Sequence, residues 1–492
     1  MRFCVLKKRS LPVFLFLPIL FSASLLVLTS CGKNYYFAGR NLPPSGLLNR
    51  VLIAEQTPSA LSKGALPFVD AYYDIRHAYN NVNTTFSISG YSGALPVTIQ
   101  NLPEEEVGAV YGAGDGSFSL VNYATEKQGS TLKVGAGLAS SIFIDQARDF
   151  AYAADESAHV VSVYSVAAGG SFFLNLPNVY RISVNPGGSI VLAFVQNSSQ
   201  GSGKSLANTA SGDFSVYSIV HLTNAQSTAA ANNPNYQGAQ DCEPQNLPQY
   251  CIYPVSTGPS ASFDRPIKAV FSADGTTAYV LNCGPECGGT TAGVTAIPIT
   301  ASELNTGVSG PSGLSLVAQS TTAIPGGVTN AILNGNTMYL AGQQLQSDGL
   351  FAGNLTVFNA ETSAVTGTYS ISDGTHNKMV FADDNTLWIG STQCQQGERY
   401  KQVLAGSGQP YGCLTMFNTS TNSVLLDSYK GDATGIAAVT GLNKVYTAEG
   451  GQVYIYNTAD GSERDNSNVS VSGTAADVAY MDATSDADNT TY

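Results

Sequence analysis

The chain has 492 residues, of which only 12% are charged, and a formal net charge of −13. That acidity disfavours nucleic acid and anionic lipid surfaces as partners, and the length exceeds what one ordinary core supports, implying several domains or an architecture that grows by repetition. Fifty glycines and 26 tyrosines, without any long helical pattern, favour many short strands joined by tight turns.

Residues 1–30 read as a bacterial lipoprotein signal peptide. Arg2, Lys7, Lys8 and Arg9 precede an apolar run from Leu11 to Leu28, and Leu28-Thr29-Ser30-Cys31 closes it with small residues before a cysteine. The expectation is cleavage before Cys31, a diacylglycerol on its sulfur, and a further acyl chain such as palmitate on the new amino group. Two or more chains make such a membrane anchor stable. Gly32, where an Asp would signal inner-membrane retention, leans toward the outer membrane of a bacterial cell envelope. Residues 31–47 then form a lipidated tether.

Beyond the tether, Arg50–Ala54, Phe68–Ile75 and Thr85–Gly90 read as three strands. Two-strand units with a polar hairpin follow at Ser141–Tyr152, Arg181–Leu192, Ala269–Val280, Asn330–Leu340, Met379–Ile389 and Gly435–Thr447. Third strands share one template, seen in Asn354–Thr362, Cys413–Thr421 and Gln452–Asp460, each with the ending aromatic, Asn, small, polar. Weaker copies are Ser117–Thr125, His159–Val166, Asp213–His221 and Gly293–Thr300; Ala476–Met481 is a lone strand at the end. A repeat of about 40 residues is the signature of four-strand propeller blades. The expected fold is all-β: a β-propeller of eight four-stranded blades over residues 48–482, with residues 483–492 a disordered tail. Seven blades lie at 97–136, 137–177, 178–264, 265–326, 327–373, 374–431 and 432–474. The eighth joins the N-terminal strands to the C-terminal one, which removes an exposed sheet edge. Seven blades is the alternative if 48–136 folds differently.

Ser272-Ala-Asp-Gly-Thr-Thr-Ala-Tyr-Val280 resembles the Ser-Pro-Asp-Gly-x-x-x-Tyr-Val hairpin of the YVTN-type bacterial propeller repeats, with Ala273 in place of Pro. Asn185-Pro-Gly-Gly188 keeps the Pro but has Gly187 where Asp is expected. Asn282–Thr290 also resembles a segment of uncharacterised propeller lipoproteins. The resemblance implies fold more strongly than activity, because the family includes surface proteins, binding modules and a lactonase-like branch.

Six cysteines remain once Cys4 and Cys31 are set aside. They fall into three local couples, giving the expected disulfides Cys242–Cys251, Cys283–Cys287 and Cys394–Cys413, although six cysteines allow 15 connectivities. His77, His159, His221 and His376 are too scattered for a zinc site. Segments 196–212, 283–292 and 391–412 read as second-to-third connections and 223–264 as part of a link between blades. All three disulfides would therefore brace one face.

At the channel mouth, the blade links should present Arg181, Asp264, Arg265, Asp373, His376, Lys378 and Asp432 as candidate ligand-binding residues. A single histidine without a Gly-x-Ser-x-Gly elbow or a His-Glu-x-x-His helix assigns no catalytic residue. The acidic clusters Asp383-Asp384-Asn385, Asp70 with Asp74, and Glu104-Glu105-Glu106 lack the spaced Asp-x-Asp-x-Asp-Gly loop. No cofactor or metal is therefore expected, calcium being the one ion they would suit. The single Trp388 argues against a quinone-cofactor dehydrogenase. The leading reading is a monomeric, lipid-anchored, non-catalytic module that binds or scaffolds a protein or glycan partner. A lactonase-like hydrolase with its site at the channel mouth is the alternative.

Overall fold

Alternation along the middle strands decides the architecture. In Ile190-Val-Leu-Ala-Phe-Val195 every residue is buried, and successive side chains go to opposite faces, so both faces of the sheet must be covered. Sheets stacked around an axis meet that requirement. The computed structural model describes residues 42–57, 64–78, 81–135, 139–145, 148–155, 160–166, 169–174, 176, 178–196, 214–221, 250–299, 316–394, 401, 412–428 and 430–484. The signal peptide, Cys31, Cys242 and the expected tail from residue 485 onward lie outside the described residues. Residues 43–492 form a unit separate from residues 1–42, and every strand below belongs to it.

The structure is an eight-bladed β-propeller. The second blade runs Pro96–Leu102, Val107–Gly112, Ser117–Asn122, Lys127–Lys133 from the axis outward. The third is Ala139–Ile144, Phe150–Asp155, Val160–Ser165, Gly170–Leu174. The fourth is Val179–Val184, Ile190–Gln196, Phe214–His221, Tyr250–Pro254. The fifth is Pro266–Phe271, Thr277–Asn282, Gly293–Pro298, Val317–Ala323, with Ser256–Ser260 added in parallel at its rim. The sixth is Asn330–Asn334, Thr337–Leu345, Phe351–Asn359, Ala364–Ser370. The seventh is Thr375–Ala382, Thr386–Thr392, Leu414–Asn418, Ser423–Ser428. The eighth has three strands, Ala433–Val439, Lys444–Glu449 and Gln452–Asn457, and an isolated bridge between Tyr456 and Glu463 in the fourth place. In the first blade Thr474–Tyr480 pairs antiparallel with Arg50–Gln56, which pairs in turn with Phe68–Asp70.

Among the described residues there are eight apolar clusters, and each sits between two adjacent blades. Single strands feed two of them: Leu192 packs toward the fifth blade, whereas Val191 and Ala193 pack toward the third. The core is therefore a ring of interfaces rather than one centre.

Two turn devices recur, and each follows from sequence. Asp145, Asn185 and Ser272 each accept, on a side-chain oxygen, the N–H five residues on, from Phe150, Ile190 and Thr277. The residue three positions on takes positive φ in each hairpin: Arg148, Gly188 and Gly275. In the third-strand template, the shared Asn closes an Asx turn: Asn122, Asn359 and Asn418 accept from the N–H groups of Thr125, Thr362 and Thr421. Four residues beyond each, Glu126, Ser363 and Asn422 have positive φ.

The fourth-blade strands revise the loop geometry expected from sequence. Tyr250–Pro254 is the outer strand, so residues 222–249 connect third to fourth strand and do not link blades. Cys251 lies near the start of that outer strand, opposite Val220 and at the end away from the second-to-third loops, whereas Cys283–Cys287 and Cys394–Cys413, with Cα atoms 5.7 and 5.4 Å apart at disulfide distance, share the other face. Cys242 lies outside the described residues.

Ring closure is reinforced by Arg50. Its guanidinium forks between Asp482 (2.6 Å) and Glu126 (2.8 Å), all three side chains being buried. Arg50→Ala should cost about 3–5 kcal/mol, because it leaves two buried carboxylates unpaired. Asn185→Ala should cost about 1–3 kcal/mol by orphaning the buried Ile190 N–H. Urea unfolding of each variant checks both.

Candidate functional site

The inner strands have one sheet edge facing the axis, and its N–H groups need partners. Side chains of the preceding blade supply them. Asp477 accepts from the Ile99 N–H, Ser141 from Ile182, Ser183 from Ala269 and Thr329 from His376. The Gln100 amide both accepts from the N–H of Ile144 and donates to its carbonyl. The wall of the channel is thus polar by necessity.

Most inner strands also carry a β-bulge near their start. Register shifts fall at Pro96/Thr98, Ala139/Ser141, Val179/Arg181, Pro266/Lys268, His376/Lys378 and Ala433/Gly435, and the C-terminal strand has its own beside Asp477. A bulge places two residues opposite one and re-aims the next side chain. Thr98, Ser141, Arg181, Lys268 and Lys378, each just past a bulge, all line one cavity of about 950 Å³. The cavity opens where the inner strands begin, with the link Lys430–Asp432 and the turn Gly450-Gly451 in its wall. By strand order this is the face that carries the two described cystines.

The chemistry of the cavity is mainly cationic. Lys378 Nζ reaches Asp477 at 3.2 Å and Thr98 Oγ1 at 3.3 Å; burial pulls the lysine down and the aspartate up, and their mutual attraction opposes both shifts. Lys268 Nζ donates to Asn330 Oδ1 at 2.6 Å. Burial, then the charges of Lys378 and Arg181, pull Lys268 down to about 7. Asn330 is only 1% exposed; its Oδ1 also accepts the Ala331 N–H, and its Nδ2 has no partner. His376 is equally buried, and its Nε2 lies 2.8 Å from the carbonyl of Ser372. A carbonyl only accepts, so Nε2 carries the proton and Nδ1, without a partner, is a bare acceptor. Asn377 is also on the wall, and its buried Oδ1 is a second acceptor without a partner.

Of the residues expected at the mouth, Arg181, His376, Lys378 and Asp432 line this cavity, and Asp264, Arg265 and Asp373 do not. Asp264 instead holds the Cys283–Thr290 loop. It accepts from Thr290 N–H and Thr291 N–H at 2.7 Å; burial raises its carboxyl, but these bonds outweigh it and leave the group below its ordinary value. Arg265 donates to the Gly288 carbonyl and lies over the Phe214 ring, 4.3 Å from its centroid. Asp373 accepts the Gly353 N–H at 2.7 Å. Asp264 and Arg265 brace a loop and Asp373 holds a third strand, because the links they occupy run outside the bulges. Within the cavity, Asp432 accepts the Gln393 N–H. It also lies near Cys394 and Cys413, whose sulfurs are at disulfide distance from each other and so do not form a thiolate pair for a metal. Sequence reasoning missed Lys268, Asn330, Thr98, Ser141 and Asp477. A signal existed in the polar residue near the start of most inner strands.

The acidic clusters weighed for calcium are engaged by protein donors. Asp383 accepts from the N–H groups of Gly441 and Asn443, Asp384 from Thr458 Oγ1, and Asp70 from the Tyr72 N–H. Asp74 pairs with Lys444 at 2.7 Å and Glu105 with Arg148 at 3.0 Å.

No family model matches the chain, and no curated protein does. Among solved structures, it is similar to Kuenenia stuttgartiensis hydrazine synthase (12% identity, TM-score 0.45, covering 74% of this chain and 96% of that one). It is also similar to a eukaryotic initiation factor (9%, 0.44, 88% and 98%). The Myceliophteria thermophila Cps50 (Swd1) β-propeller domain is a third (9%, 0.43, 74% and 97%). Nothing about the site follows from similarities this low.

Burial lowers His376 to about 4 from an ordinary value near 6.5. Between those values the unfolded chain binds a proton that the folded one does not, so stability contributed by neutral His376 is lost as pH falls through this window. Denaturant midpoints at pH 7 and pH 5 should show a drop that His376→Gln reduces.

Proposed function

We propose that this chain is a lipid-anchored, extracytoplasmic binding module of the bacterial cell envelope, related in its repeats to the YVTN-type propellers, which takes a protein or glycan partner at the channel mouth. The observation that carries this reading is a cavity of about 950 Å³, lined by charged and polar side chains among apolar ones, on the face with the two described cystines. A preformed recess on a rigid ring is where binding is expected. The lactonase-like alternative is disfavoured by the same residues. Hydrolysis needs a histidine or carboxylate available for proton transfer. Here Asp373 is engaged by a backbone N–H and Asp477 by Lys378, and the one acceptor His376 offers, Nδ1, is buried on an imidazole that burial lowers to about 4 and so makes a weak base. The anchor is supported by the small residues and cysteine that end the apolar run at Cys31.

Growth of an expressing bacterium on radiolabelled palmitate should label the wild-type chain and not Cys31→Ala, which should also leave the membrane fraction. A variant that keeps its label would sink the anchor. The full chain in detergent should bind envelope glycan fragments or a protein partner without converting them. Turnover of a lactone series that Ala at His376 abolishes would replace the binding module with the hydrolase.

A further inference from the structure

Three lysine or arginine side chains are buried among the described residues, and each bonds a carboxylate: Arg50 to Asp482 at 2.6 Å, Lys378 to Asp477 at 3.2 Å and Lys444 to Asp74 at 2.7 Å. Lys268, in the same channel as Lys378, has an amide instead. Its Nζ donates to Asn330 Oδ1 at 2.6 Å, and no carboxylate among the described residues bonds it. The Ala331 N–H donates to the same oxygen, which fixes the end of the amide that faces the lysine. A carboxylate would hold the ammonium form, whereas an amide oxygen accepts from an ammonium or an amine. The charges nearest Lys268 are positive: Lys378, and Arg181, which has a partner of its own. His376 on the wall is neutral by burial, Lys430 and Asp432 lie in a link, and the strands beside Lys268 add only the phenols of Tyr180 and Tyr279. Lys268 is half-buried rather than sealed. Its neighbours Ile267 and Ala269 pack into the two blade interfaces and one strand edge is paired, so the exposed part of Lys268 faces the axis and lines the cavity.

We propose that Lys268 is an uncharged, nucleophilic amine that captures a small aldehyde from the cavity as a reversible imine. Its lone pair forms the C–N bond to the carbonyl carbon while the C=O π pair passes to oxygen. Both amine hydrogens then leave with that oxygen as water, and hydrolysis reverses the step without oxidant or reductant. A solvent proton taken up by the imine nitrogen restores a donor for Asn330 Oδ1. Burial and the adjacent cations hold Lys268 at about 7, so about half of it is amine at neutral pH, against roughly one in a few thousand for an ordinary lysine. Lysines desolvated or set beside another cation are those suited to imine formation. This chemistry goes beyond the binding-module reading and does not depend on what docks at the mouth.

The test treats the full chain, in neutral detergent, with propanal and sodium cyanoborohydride, which reduces the imine to a stable propyl amine that peptide mass spectrometry locates. At pH 7 Lys268 should be propylated ten-fold or more faster than the exposed Lys127 and Lys133. That ratio should fall several-fold by pH 9, because an ordinary lysine gains its neutral form over this range and Lys268 already has it. Asn330→Asp keeps the shape and the acceptor but sets a carboxylate beside Lys268, and should slow its propylation at pH 7 ten-fold or more. If that variant does not fold, the pH ratio of the native chain decides alone. Equal rates at pH 7, a ratio unchanged at pH 9, or a folded Asn330→Asp chain labelled as fast as wild type overturns the proposal. None of these outcomes touches the palmitate or partner-binding tests of the module itself.

Discussion

A propeller exists only if its ring closes, and here closure is the pairing of Thr474–Tyr480 with Arg50–Gln56. The core consists of interfaces between blades, so an open ring would expose the faces of two clusters at once, those carrying Val51 and Ile53 on one side and Leu52 and Ala54 on the other. It would also leave strand edges bare, which invites association with other chains. The contacts that prevent this join residues more than 400 positions apart, as in the Arg50 to Asp482 ion pair, and bringing such distant segments together carries a large loop-closure cost. The buried fork from Arg50 to Asp482 and Glu126 secures both chain ends against the second blade.

Closure also builds the cavity. Gln56 and Thr474–Ala476 are part of its wall, and Asp477, on the closing strand, is the carboxylate that offsets Lys378. Because the axial strand edges must have their N–H groups satisfied, polar side chains are drawn to the channel for structural reasons before any ligand is considered. Counting those bonds separates the two purposes. Ser141, Thr329, Gln100 and Asp477 are consumed by the neighbouring blade. Lys268 likewise donates to Asn330 of the next blade, whereas the Asn330 amide nitrogen, His376 Nδ1 and Asn377 Oδ1 are buried without a partner.

Much of this was legible in the sequence. Blade boundaries followed from two repeated turn chemistries, the Asp, Asn or Ser that clasps an N–H five residues on, and the Asn that ends a third strand, and both act locally. Register at the start of the inner strands was not legible, because a bulge has no fixed composition: Val97, Tyr180, Ile267 and Thr434 occupy equivalent bulged positions. Reading the fifth inner strand from Ala269 left Lys268 in the preceding link, and a charged residue in a link looks like surface. Asp264, Arg265 and Asp373 failed the opposite way. They are charged and lie in links, but bonds to the neighbouring loop or strand engage them. The fourth blade hid its outer strand because Tyr250–Pro254 follows a long segment with few apolar residues in alternation.

The contrast between an acidic chain and a cationic cavity has a physical consequence for selectivity. Charges on the exposed surface act over roughly 8–10 Å at moderate salt, and beyond that ions screen them. Inside the channel, where Asn330 and Lys378 are almost fully buried, screening is weak and each unmatched donor counts for more. A charge in the channel is therefore governed by its immediate neighbours rather than by the acidic surface. Burial, and then the nearby charges of Lys378 and Arg181, disfavour the charged form of Lys268. Natural folds tolerate such local conflict where a ligand resolves it. In this ring it is concentrated on the side chains that the bulges turn inward.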